Sequence, residues 1–329
     1  MRRPRPARWL AVATMTLLSS VGMGALAPAQ AEAPTTLPET TSSARNLDST
    51  PVGRYVALGD SYAAGPLVPV QTGQPAGCLR STNNYPSVLA RSAGFQDFTD
   101  VSCSGATTED MTEPQEVKLG PNPAQLDVLN GTESVITLTI GGNDIGFGEI
   151  IQECATRSSQ NLAGAACRDF YTEGGEDQLA ERIEGTASKV ADVLSEIRDR
   201  APAARIAVVG YPSILPDEGP GCYPVAPFSA GDTAYLRETE KGLNAMLAGE
   251  AGEAGVDYVD TYTPTIGHDI CRLPGVKWTE GLVPTSPAAP VHPNARGMRA
   301  MAAATGEVLG VPVAEPSSQP VEASAAGTN

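Results

Sequence analysis

The sequence predicts an α/β protein built on a parallel sheet with helices on both faces. Three observations point there. Short apolar, partly β-branched runs recur along the chain, helical patterns fill the intervals, and polar or glycine-rich motifs follow the runs. The first candidate strand, Arg54–Leu58, reads R-Y-V-A-L and stops at Gly59. Phe98–Ser102 and Val135–Ile140 follow, the second ending at Gly141-Gly142. Ile206–Gly210 and Val256–Thr261 complete the set. Their continuous apolar character suits strands covered on both faces. Helices are predicted over 84–93, 177–199, 232–250 and 294–307. The clearest is 177–199, where Leu179, Ile183, Ala187, Val190, Leu194 and Ile197 recur every three or four residues and share one face. In sheets of this kind function gathers at the carboxyl ends of strands.

Composition bounds the rest. The chain has 329 residues, 41% hydrophobic and 18% charged, enough to bury a core and too apolar for wholesale disorder. Its formal charge of -16, from 22 basic and 38 acidic residues, excludes nucleic acid as a natural partner. Arg2, Arg3, Arg5 and Arg8 precede an apolar stretch from Trp9 to Ala27 and then Ala29-Gln30-Ala31. That order reads as a signal peptide over 1–31, cut after Ala31, so a secreted, extracellular protein is expected, with cell-envelope association left open. Removing those four arginines leaves 18 basic and 38 acidic residues, a charge of -20. No later apolar run is long enough to span a membrane. Residues 32–51 read as a flexible linker, 52–311 as one domain and 312–329 as a disordered tail. Nothing calls for an oligomer, and a monomer is expected.

Export makes six cysteines legible as disulfides: Cys78, Cys103, Cys154, Cys167, Cys222 and Cys271. Six cysteines allow fifteen pairings, and spacing alone does not choose among them. Closing neighbours in sequence is the simplest. No close C-x-x-C pair supports zinc, and no metal or organic cofactor is expected.

Three strand ends carry residues suited to acyl chemistry. The first strand runs into Gly59-Asp60-Ser61-Tyr62-Ala63-Ala64-Gly65, a tight turn that could lift the Ser61 hydroxyl clear of the sheet. The second runs into Cys103-Ser104-Gly105-Ala106, where the Gly105 N–H is a possible anion donor. The third ends in Gly141-Gly142-Asn143-Asp144, and the Asn143 amide could meet a developing oxyanion. A serine nucleophile needs a base, and the chain has two histidines. His292 stands in Val291-His292-Pro293-Asn294 before a helical pattern, whereas His268 sits in a loop near Cys271 and Asp269.

GDSYAAG, SCSGA, GGND and HPN, in this order, resemble the SGNH (GDSL-type) serine esterases and lipases. The likeness is closest to the secreted actinobacterial branch with three disulfides, and it spans about 54–305. The resemblance implies a three-layer α/β/α sandwich with a five-stranded parallel sheet of flavodoxin-like order. It implies Ser61 as nucleophile, His292 as base, and an oxyanion hole from the Ser61 and Gly105 N–H groups and the Asn143 side chain. It also implies disulfides Cys78–Cys103, Cys154–Cys167 and Cys222–Cys271. One position departs from the family. Many members carry an Asp three residues before the histidine, and here that position is Ala289. Members of the secreted branch use a Ser–His dyad with a main-chain carbonyl on the imidazole. The carbonyl of Ala289 or Pro290 is expected in that role, with Asp269 as a remote substitute and Asp60 as a structural residue.

The expected function is thus secreted hydrolysis of carboxylic esters through an acyl-enzyme, on an acyl lipid or acylated glycan. The alternatives are a carbohydrate or cell-wall acyl esterase or acyltransferase of the same fold, and a non-catalytic surface-binding module. Loops 66–80, 145–175 and 213–230 are expected to shape the pocket. Leu67, Val68, Ile145, Phe147, Ile150, Ile151, Tyr223 and Phe228 are its candidate lining.

Overall fold

Apolar strands without alternation need cover on both faces, and the fold supplies it. The computed structural model describes residues 53–311 and 313. The expected signal peptide and linker lie outside the described residues, as does the expected tail apart from Val313, which packs against the core.

In chain order the elements are β1 (Arg54–Gly59), α1 (Ser61–Ala64), β2 (Gln71–Thr72), β3 (Arg80–Ser81), α2 (Tyr85–Ala93) and β4 (Asp97–Asp100). Then come β5 (Glu133–Thr139), α3 (Phe147–Ser158), α4 (Ala166–Tyr171) and α5 (Gln178–Arg200). β6 (Arg205–Val209), α6 (Ala230–Ala254), β7 (Asp257–Val259) and α7 (Ala295–Leu309) complete the chain. The five long-range strands form a parallel sheet in the order β4-β1-β5-β6-β7, while β2 and β3 make a small antiparallel pair. All five predicted strands are present, with ends shifted by at most two residues. All four predicted helices are present too.

The helices form where their caps and apolar stripes coincide. The Asn84, Asp177, Ser229 and Asn294 side chains accept N–H bonds at the starts of α2, α5, α6 and α7, satisfying donors that a helix leaves free. Gly94, Gly255 and Gly310 end three of them in the left-handed conformation. The chain crosses from β1 to β4 in one direction and from β5 to β6 and β7 in the other, and the right-handed rule for such parallel connections puts their helices on opposite faces. α2 packs with α7 on one face, and α5 with α6 on the other.

One expectation needs correction. Residues 145–175 are not simply a loop, since they contain α3 and α4. In α3 the buried Ile150, Ile151, Cys154 and Ser158 do follow helical spacing. Gly148 and the charged positions around them dilute the stripe below recognition. The cysteines join as Cys78–Cys103, Cys154–Cys167 and Cys222–Cys271, stapling the β3 region to the end of β4, α3 to α4, and the 213–230 loop to the segment after β7.

The strand order places the site. The chain leaves β1 for β4 on one side and continues into β5 on the other, so a crevice opens between the carboxyl ends of β1 and β5. Ser61 follows β1 and Asn143 follows β5. At this junction Gly59 has φ +140°, and a Cβ there would stand 2.4 Å from the Thr139 carbonyl oxygen. Only glycine lets the two strand ends close on each other.

Candidate active site

Ser61 is the first residue of α1, a single turn that leaves β1. Asp60 caps that turn by accepting the Tyr62 N–H at 2.8 Å. The geometry turns the Ser61 side chain back over the sheet edge, where Oγ lies 2.8 Å from Nε2 of His292, 231 residues later. His292 Nδ1 lies 2.7 Å from the Pro290 carbonyl oxygen. A carbonyl only accepts, so Nδ1 carries the proton and Nε2 presents a lone pair to the Ser61 hydroxyl. Of the two expected carbonyls, Pro290 meets the ring, while Ala289 O accepts the His292 backbone N–H at 3.2 Å. Asp269 is not near the imidazole: its oxygens take Cys271 N–H and Arg272 Nε. Burial lowers the His292 pKa below the ordinary histidine value, against an upward pull from the Pro290 carbonyl.

The His292 loop is held under strain. Val291 has φ +62°, the left-handed region that a β-branched residue rarely enters. The Tyr62 hydroxyl donates to the Val291 carbonyl at 2.7 Å, and the Tyr62 ring lies 4.8 Å from the His292 ring. The residue after Ser61 thus clamps the residue before His292. Pro293 is not the first helical residue, because Asn294 caps α7 and the helix begins at Ala295. Asn294 Nδ2 also bonds Glu280, and the His292 carbonyl accepts the Glu280 N–H at 3.0 Å, anchoring the loop from below.

A second clamp joins the Ser61 turn to the end of β5. Tyr211, after β6, donates from its hydroxyl to Asp60 at 2.5 Å and accepts the Gly142 N–H at 2.8 Å. Burial pushes the Asp60 carboxyl up to about 7, although the bonds from Tyr211 and from Tyr62 N–H oppose that rise. Asn143 donates one amide hydrogen to the Ala106 carbonyl at 2.8 Å, leaving the other for a ligand. That bond brings the 103–106 turn beside Asn143. Among the described residues, neither the Ser61 nor the Gly105 backbone N–H has a hydrogen-bond partner. The Ser61 and Gly105 N–H groups and the second Asn143 amide hydrogen thus have no internal acceptor among the described residues. His268, the other histidine, stacks on Trp278 with ring centroids 3.4 Å apart and bonds the Val276 carbonyl.

An apolar pocket of about 130 Å³ opens beside Ser61 and His292. Ile145, Phe147, Ile150 and Ile151 line it, as the sequence suggests. Leu67, Val68, Tyr223 and Phe228 do not. Val68 and Phe228 are buried in the core, and Leu67 and Tyr223 face solvent. Sequence reasoning missed the opposite wall, made by Ile214 and Leu215 after β6 and by Leu236 and Leu243 of α6. It also missed Glu240, a buried carboxyl in the pocket that accepts the Ile214 N–H at 3.2 Å. Burial raises the Glu240 pKa well above the ordinary carboxyl range. Spacing on α6 gave no sign of this, since a glutamate between leucines resembles any solvated helix position.

No helix among the described residues is long and apolar enough to cross a membrane. No group of three or more His, Cys, Asp or Glu residues among them is arranged to hold a metal ion.

Comparison with known proteins places the fold and the family. The model of the GDSL-like lipase/acylhydrolase family matches residues 57–300. Lipase 2 of Streptomyces coelicolor is 38% identical over 315 residues, covering 94% of this chain and 99% of that protein. The crystal structure of a phospholipase A1 from Streptomyces albidoflavus superposes with a TM-score of 0.65 at 27% identity, over 78% of this chain and 99% of that one. An extracellular lipase from Streptomyces rimosus superposes with a TM-score of 0.62, also at 27% identity and over the same shares. With a parallel sheet of the expected order, the four motifs at its carboxyl edge and a family match across most of the chain, this protein belongs to the GDSL-like lipase/acylhydrolase family of carboxylic ester hydrolases.

Proposed function

We propose that the protein hydrolyses carboxylic esters through a Ser61–His292 dyad, with the acyl chain in the pocket walled by α3 and α6. The carrying observation is the 2.8 Å contact between Ser61 Oγ and His292 Nε2 at the mouth of that pocket. His292 takes the Ser61 proton as Oγ attacks the ester carbonyl. The Ser61 and Gly105 N–H groups and the Asn143 amide receive the oxyanion. The imidazolium protonates the leaving alcohol, and water activated by the same imidazole then releases the acid. The Pro290 carbonyl holds the tautomer and orientation that an aspartate holds in a triad, without a full negative charge. The terminal segment 1–31, three disulfides and the relative named as an extracellular lipase support a secreted enzyme.

The pH dependence tests the dyad. The base must be neutral, and burial favours the neutral imidazole. Activity therefore rises with pH through the lowered His292 pKa, and the acid limb of kcat/KM has its midpoint below the ordinary histidine value of about 6.5. Asp60, pushed up to about 7, titrates later and leaves a separate, higher inflection. A single limb centred above about 7 contradicts the assignment of a buried, neutral His292.

Pocket size sets the acyl chain. A volume of about 130 Å³ is close to that of an apolar cavity of about 150 Å³ that takes up benzene. The pocket thus suits an acyl chain of about six carbons. Each added methylene that finds a dry wall is worth about 0.8 kcal/mol, or close to fourfold in kcat/KM. A p-nitrophenyl ester series should climb from acetyl to about hexanoyl or octanoyl and then level off, because further carbons lie outside. The best turnover on acetyl esters would instead favour the carbohydrate-esterase reading, and an undiminished climb to palmitoyl would show a longer groove.

A further inference from the structure

Beyond the dyad and its donors, the structure assigns a positioning role to Gln115: its side-chain amide sets the direction of the Gly105 N–H. This rests on the reading of Gly105 as an oxyanion donor. Gln115 is buried, and its Nε2 donates to the Ser104 carbonyl at 3.0 Å. That carbonyl belongs to the same peptide unit as the Gly105 N–H. In a trans peptide the C=O and N–H point in opposite directions within one plane. A donor that grips the carbonyl from one side therefore aims the N–H to the other side.

The surroundings make Gln115 a rigid grip. Its backbone exchanges both hydrogen bonds with Asn122, at 2.9 Å and 2.8 Å. The neighbouring peptides are fixed independently: Ser104 N–H donates to Cys78 O, Ala106 N–H to Cys103 O, and Asn143 Nδ2 to Ala106 O. The Ser104–Gly105 peptide takes a side chain as its carbonyl partner, as the Ala106 carbonyl does with Asn143. Gly105 has φ +84°, and glycine at such an angle can rotate its peptide more freely than any other residue. A Cβ at Gly105 would lie 3.6 Å from Gln115 Nε2, so the amide also packs against the glycine it orients. Gln115 Oε1 is buried with no partner among the described residues. What the amide contributes, it contributes through Nε2. A carbonyl oxygen cannot face another carbonyl oxygen favourably, which fixes the amide orientation chemically.

The test compares Gln115→Glu, Gln115→Leu and the unaltered protein. Gln115→Glu keeps the shape and, assayed at a pH where the carboxyl is ionised, sets an oxygen against the Ser104 carbonyl. Gln115→Leu keeps the bulk and removes the donor. With p-nitrophenyl hexanoate, kcat should fall about 10- to 100-fold in both, while KM changes less than about threefold. A tetrahedral-adduct inhibitor such as hexylboronic acid should lose affinity in parallel with kcat. A purely structural role would lower the melting temperature without this split, and kcat within about twofold of the unaltered protein in either folded variant overturns the inference. A crystal structure of the unaltered protein carrying a hexylphosphonate on Ser61 separates the two readings. If the Gly105 N–H does not reach the phosphonyl oxygen, the oxyanion assignment fails and this inference with it. If it does and kcat persists in the variants, only the role of Gln115 fails.

Discussion

Ser61→Ala lowers kcat by about 10⁵- to 10⁶-fold and leaves the fold intact. The loss is large because nucleophile and base act as a unit, so removing one strands the other. The structural cost is small. The Ser61 hydroxyl has His292 Nε2 as its partner, and the turn is held by Asp60 and by backbone bonds that the substitution keeps. One lost hydrogen bond is worth about 1 kcal/mol, or about 2–4 °C in melting temperature for a domain of this size. The check is kcat with a short-chain ester, labelling by a serine-reactive phosphonate and a melting curve. The unaltered protein takes one phosphonate, on the peptide containing Ser61, and the variant takes none. Turnover within tenfold of the unaltered protein would remove Ser61 from the mechanism.

His292→Ala has a comparable effect on kcat, about 10⁵-fold, by a different route. The Ser61 hydroxyl remains but has no group to take its proton, so phosphonate labelling slows rather than vanishing. The vacated space lies against the Tyr62 ring and beside the Pro290 carbonyl, which together can receive a free imidazole. Added imidazole should restore part of the rate, with saturation, in this variant and not in Ser61→Ala. His268→Ala is the control, because that ring stacks on Trp278 and has no part in the dyad. Equal losses in the two histidine variants would mean that both act through folding.

The two substitutions also separate what the base needs from what holds it. Sequence reasoning names His292 because histidine is scarce and because HPN precedes a helix. The carbonyl that completes the dyad carries no side-chain signature. Ala289 and Pro290 look alike to a reader of residues. The choice falls to the loop path, where Val291 at φ +62° turns the ring so that Nδ1 faces Pro290.

The same contrast runs through the pocket. The wall from Ile145 to Ile151 was legible because it follows the GGND motif directly. The opposite wall comes from α6, whose Leu236 and Leu243 resemble any core-facing helix stripe. The Tyr62–Val291 and Tyr211–Asp60 clamps join residues 229 and 151 positions apart, and nothing local to either tyrosine marks it as a tether. Gln115 is equally silent, standing in a polar stretch with no periodic pattern.

By itself the sequence determined the sheet, the strands that carry the motifs and the candidates for the reacting groups. These depend on local backbone preference, on short apolar runs and on rare residue types placed next to glycine turns. The tertiary structure alone decided which carbonyl bonds the imidazole, which helix walls the pocket and which side chain grips the Ser104 carbonyl. Those are matters of direction between segments that meet only on folding. A few degrees in one peptide plane separate a useful N–H from an idle one, and no run of neighbouring residues encodes that angle.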